Sequence, residues 1–206
     1  MLITNQLQFQ YSNNKTFTFP DIQCKKGEKL LLLGASGVGK TTLLHLLGGL
    51  LHPTNGEISI NGQSLSILIG TNLDRFRGKN IGIIFQQPHF LRALTVEENL
   101  ILAQQLAGLK VDKPLIHKFL EDLNMAHQRD RKTDRLSVGE QQRVGIIRAL
   151  INRPSVVLAD EPTSALDDKN CQEVIRLLNT CAGDAALIIV THDARLKSDF
   201  KNQIVL

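Results

Sequence analysis

With 206 residues, 42% hydrophobic and 21% charged, the chain has the balance of an ordinary globular domain and enough length for a sizeable core. Its net charge of +4 is scattered along the sequence, which argues against a nucleic-acid partner, and three cysteines (Cys24, Cys171, Cys181) form neither a disulfide framework nor a metal-ligand spacing. Met1–Asn5 lacks the basic-then-apolar plan of a signal peptide and no stretch approaches the roughly 20 apolar residues of a membrane span, so a cytosolic chain is expected, with any membrane part supplied by another subunit.

Aromatic residues make up only 4% of the chain, so the core must be aliphatic, as in a parallel sheet covered by helices. Lys29–Leu33 is a short apolar run of the buried-strand type, and it leads into a glycine-rich loop. Thr41–Leu51 reads as a helix ending near Pro53, and Glu57–Ile60 as a strand before an Asn61-Gly62 turn. Ile81–Phe85 is another apolar strand. Thr95, followed three residues later by Glu98, has capping-box spacing and opens a helix to about Leu106, while Asp112 and Pro114 start the next. The second half repeats the rhythm: helix Val138–Ile151, strand Ser155–Ala159, helix Asp168–Asn179, strand Ala185–Thr191. Strands alternating with helices predict a mostly parallel α/β sheet in a single domain over 1–206, with the strand-poor stretch 71–135 as a helical insertion.

Gly34-Ala35-Ser36-Gly37-Val38-Gly39-Lys40-Thr41 fits the phosphate-loop pattern G-x-x-x-x-G-K-[ST]. The glycines let the backbone wrap a phosphate chain, successive N–H groups form an anion nest, and the helix that follows adds its positive end. Lys40 is then expected on the β- and γ-phosphates, the Thr41 hydroxyl on Mg²⁺, and Thr42 beside it in the nucleotide site. The pattern lies between a buried strand and a helix, where this chemistry requires it. Val156–Ala159 delivers Asp160 and Glu161 at a strand's carboxyl end, the ligand side of such sheets. Asp160 suits Mg²⁺, and Glu161 suits activation of an attacking water.

Leu136-Ser137-Val138-Gly139-Glu140-Gln141-Gln142-Arg143 resembles the signature of the ABC (ATP-binding cassette) ATPases. So does the string Asp160-Glu161-Pro162-Thr163-Ser164-Ala165-Leu166-Asp167, together with Thr191-His192-Asp193, and the similarity spans essentially the whole chain. The resemblance implies a P-loop NTPase core with an N-terminal antiparallel β subdomain and a helical insertion. It implies an ATPase that uses ATP and Mg²⁺, dimerises head to tail around two nucleotides, and drives a separate membrane permease from the inner face of the cell membrane. Carried over residue by residue, it places Tyr11 on adenine and Gln86 on Mg²⁺ and at the coupling surface. It places Ser137, Gly139 and Glu140 on the other subunit's nucleotide, Asp167 in the loop crossing the dimer interface, and His192 on the γ-phosphate. Five of them have a plainer alternative: Tyr11 as a strand aromatic, Gln86 and His192 as polar strand ends, Ser137 and Glu140 as a capping box. Val138 departs from the pattern, which usually has glycine there. Arg77 to Leu100 is most similar to the lipoprotein-release, macrolide-export and FtsE-type branch, which favours export or lipoprotein release, with envelope or division signalling as the alternative.

Overall fold

The computed structural model describes residues 1–12, 15–164 and 168–206. Among them the strands form two sheets. The first is antiparallel, built from β1 (Leu2–Gln10), β2 (Thr16–Thr18), β3 (Gln23–Cys24), β5 (Asn55–Ile60) and β6 (Gln63–Ser64), with β1 pairing β2, β3 and β5. The second is parallel, in the order β10 (Asn202–Val205), β4 (Lys29–Leu33), β9 (Ala186–Thr191), β8 (Val156–Asp160), β7 (Ile81–Ile84).

The parallel sheet is buried on both faces, and the period-2 alternation of its strands decides which residue serves which core. Leu31, Leu33, Val157, Ala159, Leu187 and Ile189 face one apolar cluster. This cluster is filled by α3 (Val96–Leu106), α4 (Lys113–Asp122), α5 (Val138–Leu150) and α6 (Asp168–Cys181). Leu30, Leu32, Val156, Leu158, Ile188 and Val190 face the other, filled by α1 (Lys40–Leu47) and the inner face of the antiparallel sheet. At Gly82 an added Cβ would stand 2.2 Å from the Ala149 carbonyl, so α5 lies on β7 backbone to backbone. A larger residue there would force the helix off the sheet.

The first helix is shorter than its apolar pattern suggests. It stops at Leu47 because Gly48 caps it and Gly49 turns left-handed at φ 63°. The Asn61-Gly62 turn has φ 52° and 79°, both positive as a tight two-residue hairpin requires. Thr95 and Ser137 both form complete capping boxes, and Asp112 caps α4 with Pro114 in its first turn. One helix, α2 (Gly70–Asn80), has no sequence signature. Its N-cap is Ile69, with no side-chain cap, and Leu73 alone is buried, so it lacks an apolar stripe. Within 71–135, β7 joins the parallel sheet at its edge while α3 and α4 pack on α5.

Candidate functional site

Parallel strands point their carboxyl ends the same way. Here β4, β9, β8 and β7 are neighbours, so the segments leaving them emerge side by side: the loop 34–39, Thr191-His192, Asp160-Glu161 and Phe85-Gln86. Together with the antiparallel sheet they line an open groove of about 900 Å³. Of the residues expected from the sequence, Tyr11, Ala35, Ser36, Gly37, Gly39, Lys40, Thr41, Thr42, Gln86, Glu161 and His192 meet there. Gly34 and Val38 belong to the loop but do not line the groove, and Asp160 adjoins it through Thr41.

The loop's geometry follows from its glycines. Gly39 has φ 101° and serves as the N-cap of α1, and a Cβ there would collide with the Phe17 ring at 2.6 Å. The positive end of α1 faces the groove beside the Phe17 ring, and no side chain caps it by a hydrogen bond. The Lys40 ammonium is buried, donates to the Gly34 and Ala35 carbonyls at 2.9 and 3.0 Å, and lies 3.8 Å from Glu161 Oε1. The Tyr11 hydroxyl is 3.0 Å from Thr42 Oγ1, and its ring stands edge-on to Phe9.

Glu161 is the most constrained group in the site. Its φ is 47°, a left-handed conformation that costs a non-glycine residue about 1 kcal/mol or more. The turn is pinned by the Glu161 N–H bond to the Val190 carbonyl (2.9 Å) and folds the carboxylate back over the end of β9. There Oε2 accepts from the Thr191 hydroxyl at 2.7 Å, and Oε1 accepts from the His192 N–H at 3.1 Å and lies 2.7 Å from His192 Nδ1. The Asp160 carboxyl is buried, which pushes its pKa above the usual carboxylate range, against a partial offset from the Thr41 hydroxyl at 3.5 Å. Gln86 donates to Ser164 Oγ at 3.0 Å, and Ser164 Oγ donates to the Glu161 carbonyl at 3.1 Å, linking the β7 end to the segment after β8.

The signature segment does not reach this groove. Ser137, Gly139 and Glu140 are absent from its lining and sit at the amino end of α5. The Ser137 hydroxyl donates to Glu140 Oε2 (2.7 Å), and the Ser137 N–H binds the same oxygen (2.8 Å), holding the Glu140 carboxyl below its usual pKa. Val138 occupies the first helical turn without positive φ and is 65% exposed. A Cβ at Gly139 would meet nothing within 4 Å, so this chain alone does not demand glycine there. Asp167 lies outside the described residues.

Two groove residues had no sequence assignment. Lys15 reaches the Gly37 carbonyl at 3.4 Å and lies 4.8 Å over the Phe17 ring, and Phe17 itself lines the wall. The period-2 aromatics Phe9/Tyr11 and Phe17/Phe19 were the available signal for the pairing of β1 with β2, which sets Phe9 opposite Phe17.

A family model described as ABC transporter matches residues 19–164. The lipoprotein-releasing system ATP-binding protein LolD of Xanthomonas oryzae pv. oryzae (strain MAFF 311018) is 40% identical over 180 residues, covering 85% of this chain and 74% of the relative. LolD of Psychrobacter arcticus is 38% identical over 200 residues, covering 94% and 88%. The dimeric structure of the ATP-binding cassette MJ0796, in a post-hydrolysis state bound to ADP and Pi, superposes with TM-score 0.87 at 32% identity, covering 100% of this chain and 94% of that one. The chain therefore belongs to the ABC transporter family, as an ATP-binding and ATP-hydrolysing cassette.

Proposed function

We propose that this cassette works as a head-to-tail homodimer that closes around two ATP molecules and drives a separate permease in lipoprotein release, from the inner face of the cell membrane. The substrate class rests on the LolD relatives, and the dimer on the two-subunit assembly of MJ0796. Among the described residues no helix is long and apolar enough to cross a membrane, and in this reading the permease supplies the span.

The observation that carries the catalytic reading is the strained Glu161, its carboxylate held by Thr191 and His192 beside Lys40. Glu161 takes a proton from water as the water oxygen bonds the γ-phosphorus and the bond to the ADP oxygen breaks. Lys40 exchanges its loop carbonyls for β- and γ-phosphate oxygens. The N–H groups of Gly34, Ala35, Ser36, Gly37, Val38, Gly39, Lys40, Thr41 and Thr42 cradle the phosphates, Tyr11 faces the adenine, and His192 senses the γ-phosphate. Thr41, Asp160 and Gln86 offer hydroxyl, carboxylate and amide oxygens, a hard-donor set that fits Mg²⁺ sharing its shell with phosphates and water. That ion would neutralise charge developing on the phosphate oxygens. Ser137, Gly139 and Glu140 serve the partner's nucleotide, as the open space at Gly139 and their separation from this chain's own groove support. Asp167 is assigned to the interface loop.

The test is Glu161→Gln. Turnover should fall about 10²–10⁴-fold, the scale of a general base, while an ATP-loaded dimer accumulates in light scattering. Near-normal phosphate release would move the base elsewhere. Affinity purification from the native membrane should recover a permease with a large extracytoplasmic domain. A four-span division protein in its place would favour signalling.

A further inference from the structure

We infer that Arg195 is a positioning residue for hydrolysis: its guanidinium locks the His192-Asp193 turn to the start of α6, so the groove's histidine and the segment after Glu161 move as one unit. The inference rests on the reading of Glu161 as general base.

Arg195 belongs to none of the motifs. Yet its fork spans three pieces of chain. Nε donates to Asp193 Oδ1 and Oδ2 at 2.9 and 3.0 Å, and Nη2 to Asp193 Oδ2 at 2.7 Å. Nη1 donates to Asp168 Oδ1, the first residue of α6, at 2.6 Å, and Nη2 reaches the Thr163 carbonyl at 3.4 Å. Asp193 closes the circuit from the other side. Its carboxylate accepts from Thr163 Oγ1 at 3.0 Å and caps its own turn through the Arg195 N–H at 3.0 Å. The Asp193 N–H donates to Thr191 Oγ1 at 2.9 Å, the hydroxyl that in turn donates to Glu161. An unbroken hydrogen-bonded path therefore runs Glu161, Thr191, Asp193, Arg195, Asp168.

The two legs of the fork differ in kind. Asp193 is 9% exposed and Arg195 38%, so only the acid side of their bidentate pair is sheltered, and the pair holds the Asp193 carboxyl down at about 2. Asp168 is 87% exposed, and an ion pair there adds little stability. A contact that contributes little stability but fixes direction suits geometry: it sets where α6 begins relative to His192. Only a planar fork serves both acids together, which a lysine point charge does not reproduce.

The experiment compares Arg195→Ala, Arg195→Lys, Asp168→Asn and Glu161→Gln, reading kcat, KM, ATP Kd by calorimetry and thermal melting. Arg195→Ala should lower kcat by about 10- to 100-fold, the scale of small misplacements of reacting groups, with Kd unchanged. Arg195→Lys should recover the melting temperature but not kcat. Asp168→Asn, which removes the charge from the exposed leg alone, should lower kcat in the same direction and add nothing further to Arg195→Lys. Should Arg195→Ala fail to fold, the Lys and Asn variants decide. Wild-type kcat in those variants, or losses of kcat, affinity and melting temperature in parallel, would overturn the inference. If Glu161→Gln is inactive while the Arg195 variants hydrolyse normally, this inference alone fails. If Glu161→Gln hydrolyses normally, the general-base reading fails and takes this one with it.

Discussion

Thr191 makes the sharpest test of how the site is held. Its hydroxyl is fully buried, donates to Glu161 Oε2 at 2.7 Å and accepts from the Asp193 N–H at 2.9 Å. Thr191→Val keeps the side chain's shape, so no cavity opens, but deletes both bonds. A bond to a charged acceptor contributes about 1.5–3 kcal/mol, and the stranded Asp193 N–H adds to that. Glu161 keeps its His192 N–H contact, which limits the damage. The expected loss is therefore about 2–3 kcal/mol, or about 4–12 °C in melting temperature for a chain of this length. With one of its anchors gone the carboxylate swings about the His192 contact, and kcat should fall about tenfold, equivalent to about 1.4 kcal/mol of barrier. Thr191→Ser retains the hydroxyl and serves as the control. Melting followed by circular dichroism and turnover by phosphate release give the two readouts. A Val variant that melts within about 1 °C of wild type would show that this hydrogen-bond path is not what holds Glu161.

Three further outcomes follow from the same geometry. Lys40→Ala should weaken ATP binding by about 10- to 150-fold, the equivalent of about 1.5–3 kcal/mol of charge-assisted bonding, and abolish turnover; unchanged affinity by calorimetry would refute the phosphate-loop reading. Burial raises the pKa of Asp160 in the folded chain, so its ionisation opposes folding at neutral pH, and this penalty fades as pH falls through the raised value. Asp160→Asn should therefore raise the neutral-pH melting temperature of the nucleotide-free protein while weakening Mg²⁺-dependent hydrolysis, and a lower melting temperature would contradict the burial argument. Val138→Gly should change turnover by less than about tenfold and slightly lower stability, because Val138 already sits in an ordinary helical turn pointing into open space and glycine is the poorer helix former. A large gain in turnover or in ATP-driven dimerisation would instead mark Val138 as a brake.

The sequence by itself determined the local pieces whose cause is local. The glycine turn at Gly39 and the helix start at Lys40 were legible because backbone freedom and a helix start are short-range properties. The capping boxes at Thr95 and Ser137 were legible because both partners lie within a single turn. Apolar runs such as Val156–Ala159 announced buried strands, while α2, which lacks an apolar stripe, and β10, at a sheet edge, announced nothing. Tertiary structure alone decided that Thr191 and Asp193 lie between Glu161 and Arg195, and that Lys15 and Phe17 wall the groove. The order β10-β4-β9-β8-β7 brings together segments far apart in the chain, and no residue signals its future neighbour across that distance. Strand order is set by which faces bury best against each other, a property of the assembled layers, and the hydrogen bonds that tune the site exist only once those layers have closed.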